Sequence, residues 1–401
     1  MEEQVHHTHQ EGKNWYDRHH KTLLIIPIIM LLASLLYLAA FYQQHGDLIQ
    51  KDVSLTGGTS ITVFDNEIDS KVIQESLKRQ FPDLAMRSIS DIRTGRQHGF
   101  TVESQQSADV LREALEKQLG YNLTSENSST EFSGSALSSG FYTQLIHAVI
   151  VAFLLMGLVV FIIFGTSLRM KLLSGMITSV SVNLLFNTVT LLSFLAVFGF
   201  LLSFLGYAYA LRKAADKKQA LLEFIIVAVL GILLMNFSSL QSFLPFSVYI
   251  LLAPLIIFIF VIYTFQSVPS IAIIIAAFAD IIMTLAAVDV LGMRISGAGI
   301  VAFLMLIGYS VDTDILLTSR LLKNHEGSIN SRILGAFKTG ITMTLAAIAA
   351  VAVSLAVIYS FSETLRQIFQ IILIGLFFDI FNTWITNASI LKWYMEARKL
   401  P

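Results

Sequence analysis

Five aspartates inside long apolar runs are the residues of this sequence best suited to chemistry. They are Asp280, Asp289, Asp312, Asp314 and Asp379. A carboxylate at bilayer depth costs about 2.5–3.5 kcal/mol even on lenient insertion scales, so such acids are rare and usually face a partner or a water-filled path. Asp312 and Asp314 lie two residues apart within Ser296–Arg320, and this stretch is therefore the first candidate for a functional element.

Three roles are open for these acids: a fixed ion pair or hydrogen bond between helices, proton carriage by a titrating carboxylate, and catalysis by two facing carboxylates as in aspartic proteases. Asp312 is our preferred proton carrier. Lys338 begins the next antiparallel span at similar depth, which permits an Asp–Lys pair. Asp280 falls near the middle of the preceding span, and Asp314, Asp280 and Lys338 are expected to tune the carrier.

Other reactive constellations are missing from the sequence. It has no GxxxxGK phosphate loop, no cysteine and no Ser–His pairing, which argues against an ATPase and against nucleophilic catalysis. The histidines of Met1–Lys21 match no closed metal site, so a solvated tail competes with metal binding there. We therefore predict no catalytic residue, no metal and no cofactor.

Composition determines the class of protein. The 401 residues are 55% hydrophobic and 14% charged, with a net charge of −1. Apolar runs near the roughly 20 residues that cross a bilayer recur along the chain, so it is a polytopic membrane protein. The balanced charge gives no reason to expect a nucleic-acid partner.

The hydropathy pattern predicts about ten spans. The first is Leu23–Tyr42, for which an uncleaved anchor is favoured over a signal peptide because the apolar run and the stretch before it are long. The others are Thr143–Phe164, Leu173–Leu191, Ser193–Tyr209, Leu221–Asn236, Val248–Ile262, Ile271–Leu291, Ser296–Leu317, Gly340–Tyr359 and Gln367–Leu391. Between Leu173 and Tyr209 a tight hairpin and one long tilted helix are both open.

Lysine and arginine concentrate in alternate short loops, which predicts that both chain ends lie in the cytoplasm of a multi-pass cell-membrane protein. The region Gln50–Thr130 then lies outside. Val53–Phe64 alternates like a strand interrupted at Gly57-Gly58, and helices are predicted over Asp69–Gln80 and Ala108–Leu119. A strand pair over Leu84–Ile92 and Gly99–Glu103 completes a small ferredoxin-like α+β domain, followed by a Ser-rich link, Ser125–Ser139.

Several motifs together resemble the SecF subunits of the SecD/SecF protein-export membrane proteins, in their archaeal form. The matching segments are Leu55–Thr59 with its Gly57-Gly58-Thr59, Leu137–Phe164, Val268-Pro269-Ser270, Ala276–Ile281, Gly308–Arg320 with its Gly308-Tyr309-Ser310, and Ala336–Thr344. The sequence GYSVDTDILLTSR of Gly308–Arg320 is the most specific of them.

Three departures from that family are visible. The acid of bacterial SecF stands at the position of Thr313, whereas here Asp312 and Asp314 flank it, and Asp312 matches the acid of SecD. Lys338 stands where bacterial relatives have an arginine, and unlike arginine it can lose its proton when buried. Residues 165–265 form an extra membrane insert with no assigned function.

The resemblance implies a membrane core like that of RND transporters, with the following division of the chain. It predicts a cytoplasmic tail (1–22), a first transmembrane helix (23–42), an extracytoplasmic α+β domain (43–139), a second family span (140–164), an insert of about four spans (165–265), a four-helix core (266–391) and a cytoplasmic tail (392–401). It also implies an accessory role in Sec export, coupled to the proton gradient, with SecD, the Sec translocon channel, unfolded secreted polypeptides and membrane lipid as partners.

Two alternatives belong to other classes. An RND-type exporter of small molecules or lipids would normally need a larger outer portion than this chain offers. An intramembrane aspartic protease could use Asp280 and Asp312, which lie on consecutive spans, but neither has the Gly-x-Gly-Asp context of such enzymes.

Overall fold

The structure is a computed structural model, and it describes residues 15–66, 68, 70–90, 96–186, 190–211, 248–324, 327–359 and 362–398, with 225, 229 and 231 as isolated positions. The predicted span Leu221–Asn236 therefore lies outside the described residues apart from these isolated positions, and so does most of the N-terminal tail.

The chain is mostly helical. Its longer helices are α1 (Trp15–Leu23), α2 (Ile25–His45), α6 (Ser135–Phe164), α7 (Leu168–Leu185), α8 (Thr190–Leu211), α9 (Val248–Gln266), α10 (Val268–Val290), α11 (Gly297–Lys323), α12 (Ile329–Ile358), α13 (Glu363–Phe381), a π-helix π1 (Asn382–Asn387) and α14 (Ala388–Ala397). Seven helical segments among the described residues are long and apolar enough to cross a membrane. They include α2, α6 and α9 to α12, and the seventh joins α13, π1 and α14.

The uncertain region after Leu173 consists of two helices rather than one. α7 ends at Leu185, where Phe186 leaves helical geometry, and α8 packs along α7. Most of α7 is buried, because α6, α8 and α9 all contact it. The predicted N-terminal tail (1–22) is helical at its end, since residues 15–22 belong to α1, which packs on α14.

A small antiparallel sheet lies between α2 and α6 in the chain. Its elements are α3 (Val53–Thr56), β1 (Gly58–Val63), α4 (Ser70–Lys78), β2 (Ala85–Ser90), β3 (Gln97–Ser104), α5 (Ala108–Leu119) and β4 (Ser128–Ser133), and we call this region the sheet domain. The strand order is β2-β3-β1-β4, with all neighbours antiparallel. α4, α5 and one face of the sheet enclose an apolar core that includes Ile61, Leu77, Phe100 and Leu111.

Two predictions for this domain were wrong in part. The predicted interrupted strand Val53–Phe64 is a strand only after its two glycines, because Asp52 caps a helical turn at Val53–Thr56 through the Ser54 N–H. Gly57 and Gly58 then adopt φ of 84° and 134°, and β1 starts only at Gly58. The segment Ser125–Ser139 is not a simple link either, since it contains β4, which pairs with β1 over six residues.

The two ends of the insert meet at one point of the membrane core. The Ser267 hydroxyl, which caps α10, donates to the Phe164 carbonyl at the end of α6 over 3.2 Å. Ser270 also lies within 3.4 Å of the Val160 carbonyl. The chain therefore leaves the core after α6 and returns beside the same position.

The sheet domain is attached to the first turn of α11. The Ser54 hydroxyl accepts from the Gly297 N–H over 3.2 Å and donates to an Asp52 carboxylate oxygen over 2.6 Å. Backbone bonds also join Gln50 and Asp52 to Ile295. On the other side of this turn Gln367, from α13, contacts Ser296. The start of α11 is thus held between the sheet domain and α13.

Candidate functional site

Asp312 and Asp314 lie on opposite faces of α11. The helix runs without interruption from Gly297 to Lys323 and therefore continues through Gly308–Ser310. Residues two apart on an α-helix point about 200° apart. Asp314 is completely buried, whereas Asp312 is exposed, and the packing therefore favours Asp314 as the inward-facing acid.

Lys338 does not pair with either acid. Its side chain is exposed on α12, and no ion pair between described residues involves Asp280, Asp312, Asp314 or Asp379. The predicted Asp–Lys contact is wrong within this chain, because Lys338 lies on the outer face of α12 and Asp314 on the inner face of α11.

Three buried carboxylates from three helices form what we call the carboxylate cluster: Asp280 of α10, Asp314 of α11 and Asp379 of α13. Their residues are 0%, 0% and 1% exposed. They lie close enough for electrostatic repulsion between them. The proton-coupling residues predicted from the sequence do not include Asp379, although it also lies inside an apolar run.

Asp280 accepts two hydrogen bonds in the centre of this cluster. The Ser310 hydroxyl donates to its Oδ2 over 2.5 Å, and the Asn382 side-chain amide donates to its Oδ1 over 2.7 Å. Of the Gly-Tyr-Ser motif, only Ser310 therefore touches an acid, while Gly308 and Tyr309 face outward.

Asp314 and Asp379 are less completely satisfied. The Asn387 amide donates to Asp314 Oδ1 over 2.8 Å, and the Thr383 hydroxyl donates to Asp379 Oδ1 over 3.1 Å. Asp314 Oδ2, Asp379 Oδ2 and Asn387 Oδ1 are buried without a hydrogen-bond partner among the described residues. Burying a polar atom without a hydrogen-bond partner is costly.

The π-helix supplies both amides. In π1 each hydrogen bond spans five residues, which brings residues five apart to the same side, and such segments recur at functional sites. Asn382 and Asn387 are five apart, and both reach the carboxylate cluster. An α-helical periodicity would place them on different faces, which is why the sequence analysis missed both residues.

The remaining predicted motif residues shape the sheet domain. Thr59 is fully buried, and its hydroxyl donates to the Gln106 carbonyl over 2.7 Å. A β-carbon on Gly57 would overlap Ser135, and one on Gly58 would overlap the Ser104 carbonyl. These residues close the turn into β1 and lie apart from the carboxylate cluster.

A second group of acids lies where the sheet domain meets the core. Burial raises the pKa of Asp52 from 3.8 to about 6, and Glu103 adds to this effect, while the Ser54 hydrogen bonds and Arg87 oppose it. Glu103 itself is held by Arg87 and by Arg294, the latter over 3.3 Å. Asp52 at this junction therefore titrates closer to neutral pH than an ordinary carboxylate does.

No metal site accompanies the carboxylate cluster. Among the described residues, no group of three or more His, Cys, Asp or Glu side chains is arranged to hold a metal ion.

Comparison with known proteins places the site in a family context. Residues 219–397, which contain the whole carboxylate cluster, match the sequence profile of the family described as protein export membrane protein SecD/SecF, C-terminal. The SecF protein-export membrane protein of Methanothermobacter thermautotrophicus is 50% identical over 134 residues, 33% of this chain and 47% of the relative. That of Methanocaldococcus jannaschii is 47% identical over 139 residues, 33% of this chain and 49% of the relative.

The chain thus spans about half the length of the curated relatives it matches. A crystal structure of SecDF, a translocon-associated membrane protein from Thermus thermophilus, superposes with a TM-score of 0.52 at 13% identity, over 96% of this chain and 39% of that one. At this identity the likeness concerns the fold alone. The chain is therefore a membrane protein that resembles the archaeal SecF proteins, and its residues 219–397 match the C-terminal region of the SecD/SecF family.

Proposed function

We propose that this chain acts as a SecF-type accessory subunit of the Sec machinery, which promotes protein translocation across the cytoplasmic membrane with SecD and is driven by the proton gradient. The carboxylate cluster is the observation that carries the proposal. Three carboxylates are fully buried among the helices of the core, and no ion pair within the described part of the chain compensates them.

Protons are the simplest way to neutralise this cluster. An uncompensated buried charge costs several kcal/mol, and adjacent carboxylates cannot all ionise together. Protonation and release at Asp314, with Asp280 beside it, would then change the charge inside the helix bundle. Asp314 replaces Asp312 as our preferred carrier because of its burial.

Helix α11 links this charge change to the sheet domain. The helix is about 40 Å long, has Asp314 in its second half and is bonded at Gly297 to Ser54. A shift of α11 relative to its neighbours therefore acts directly on the sheet domain, which we place outside the cell as a ferredoxin-like domain that handles unfolded secreted polypeptide. In this topology the chain has about ten spans, and both of its ends lie in the cytoplasm.

Asp312 and Lys338 support the presence of a partner subunit. Both are exposed on helices of the membrane core, and a lone charge facing lipid is costly. We assign this face to SecD, within an assembly that includes the Sec translocon channel. Of the two acids that flank Thr313, only Asp312 lies on this exposed face.

The test compares two neighbouring acids in cells that depend on this chain for secretion. Asp314→Asn should abolish or strongly reduce secretion while the protein still copurifies with SecD. Asp312→Asn should instead weaken copurification, because its side chain faces the partner. Normal secretion by the Asp314→Asn protein at normal abundance would overturn proton carriage by this cluster.

A further inference from the structure

The hydrogen bonds of the cluster distinguish an ionised acid from a protonated one. A carboxylate only accepts hydrogen bonds, whereas a carboxylic acid also donates one. Asp280 receives a donor at each oxygen, from Ser310 and Asn382. Hydrogen bonds donated to both of its oxygens stabilise the ionised form of Asp280.

Asp314 has the opposite arrangement. Its Oδ1 accepts from the Asn387 amide, while its Oδ2 has no partner among the described residues. The oxygen of the same Asn387 amide is likewise buried without a described donor, and both residues are 0% exposed. The Thr383 hydroxyl lies near Asp314 as well, but it has a single hydrogen and donates to Asp379 Oδ1 over 3.1 Å.

We propose that Asp314 and Asn387 form a proton-binding site in which one proton on Asp314 Oδ2 completes a two-bond acid–amide pair. The amide N–H donates to Oδ1, and the new O–H donates to the amide oxygen. Binding adds one O–H bond and breaks none. A single proton satisfies both unpartnered oxygens, and its release leaves two acceptors facing each other, so the pair must then rearrange.

The role of this site in export rests on the proposed function, whereas its proton chemistry does not. The titratable groups that face Asp314 are Asp280 from α10 and Asp379 from α13. From α12, Lys338 points outward. From α14, Lys392 is bonded to Asn330 over 2.6 Å and lies 4.0 Å from Glu396. No cation of the described residues takes the place of the proton.

The π-helix gives the site a way to respond. Asn387 ends π1, and Asn382 begins it, so the partners of Asp314 and Asp280 belong to one short segment. When the proton leaves Asp314, the Asn387 amide must turn or move to separate the two oxygens. Any movement of π1 also displaces Asn382, which donates a hydrogen bond to Asp280. Asn387 is therefore a positioning residue for the proton.

Infrared difference spectroscopy of the purified full-length chain, recorded between two pH values, detects protonated carboxyl groups directly. In the unaltered protein we expect a carbonyl band of a hydrogen-bonded carboxylic acid. Asn387→Leu, which keeps the side-chain volume and removes the amide, should shift one component of that band to higher frequency. Asp314→Asn should remove that same component, and Asp312→Asn should leave it unchanged.

Asp314→Asn is expected to fold, because the asparagine can form an amide–amide pair with Asn387. Asp280→Asn and Ser310→Ala should both retain the component, and Ser310→Ala serves if Asp280→Asn does not fold. Persistence of the component in Asp314→Asn, or an unshifted band in Asn387→Leu, would overturn the site. If the spectra behave as expected but Asp314→Asn secretes normally, the site stands and the proposed function fails.

Discussion

At the scale of single residues, the decisive property of the membrane acids is the number of donors that each receives. Asp280 has two, Asp314 and Asp379 have one each, and Asp312 faces outward. Residues of one chemical type within a hundred positions thus have different environments. The sequence names the acids, and their neighbours decide what each can do.

The first prediction concerns the donor to Asp280. Ser310→Ala leaves Asp280 Oδ2 buried without a hydrogen bond, which should lower the stability of the folded protein by about 1–3 kcal/mol. Thermal unfolding in detergent measures this change. Tyr309→Phe is the matched control, because the neighbouring Tyr309 is 45% exposed and its change should be close to neutral. Equal stabilities of the two variants would contradict the hydrogen bond's importance.

The second prediction concerns pH and Asp52. Its raised pKa, about 6 instead of 3.8, means that the folded state binds the proton more tightly than the unfolded state. The resulting stability is fully present below about pH 4 and is lost as pH rises through about 6. An asparagine in place of Asp52 would still accept from the Ser54 N–H, since asparagine is a good N-cap.

As pH rises from 5 to 7.5, the free energy of unfolding of Asp52→Asn should therefore increase by about 1–2 kcal/mol relative to that of the unaltered protein. This figure allows for the partial exposure of Asp52. Unfolding curves recorded across that pH range provide the measurement. Glu131→Gln, which changes an exposed carboxyl of β4, should keep the original pH dependence. If the free energy of unfolding of Asp52→Asn changed with pH as that of the unaltered protein does, Asp52 would not titrate in this range.

At the scale of elements, close helix packing fixes the position of the π-helix. Trp384 of π1 lies against Gly340 of α12, where an added β-carbon would overlap the indole ring. Phe337 contacts the same ring edge-on at 5.1 Å between centroids. Small residues allow such approach between membrane helices, and here they hold the segment that carries Asn382 and Asn387.

Gly340→Ala tests this contact. We expect a loss of about 1–3 kcal/mol from overpacking, together with weaker secretion because π1 is displaced. Gly335→Ala is the control on the same helix, since no described atom lies within 4 Å of its added β-carbon, and it should stabilise by about 0.5–1 kcal/mol through helix propensity. Comparable effects of the two changes would refute the packing of π1 on α12.

The turn into β1 is the second element with a steric requirement. Gly57 has φ of 84°, and its added β-carbon would overlap Ser135 at the start of α6. Gly57→Ala should therefore destabilise the sheet domain by at least about 1–2 kcal/mol. Gly134→Ala is the control, because Gly134 has φ of −71° and open space around it. Limited proteolysis of the full chain should show earlier cleavage only for Gly57→Ala.

At the scale of the whole molecule, the insert returns to the point where it leaves the core. Because Ser267 contacts the end of α6 at Phe164, residues 165–266 can be replaced by a short Gly-Ser linker without moving α6 relative to α10. The insert packs through α7 and α9 against an apolar surface that includes Phe161 and Ile274, and lipid can cover that surface.

We expect the shortened protein to remain monodisperse in detergent and to keep the carboxylate cluster. The infrared band component assigned to Asp314 would report the cluster, and size-exclusion chromatography would report the state of the protein. Removal of α13 and π1 instead should abolish the folded core, because these elements carry Asp379 and both asparagines. Aggregation of the chain without the insert would show that the insert is part of the core.

The spacing of apolar residues was sufficient to predict an element where one face of that element is apolar. The helix Ala108–Leu119 was predicted with the same bounds that the structure gives, because Leu111 and Leu115 recur at helical spacing and are both buried. The same reasoning failed for the first part of Val53–Phe64, although Gly58–Val63 is a strand. There a capping aspartate and two glycines with positive φ produce a helical turn before the strand, and alternation alone does not register either effect.

The sequence by itself determined that this is a polytopic membrane protein with buried acids and SecF-like motifs, since apolar length and local motifs are properties of neighbouring residues. Only the tertiary structure decided which acids meet. Asp280, Asp314 and Asp379 come together because α10, α11 and α13 pack side by side, and a π-helix turns two asparagines toward them. The direction in which each side chain faces depends on helix geometry and on packing. For this reason only the tertiary structure could change the preference from Asp312 to Asp314.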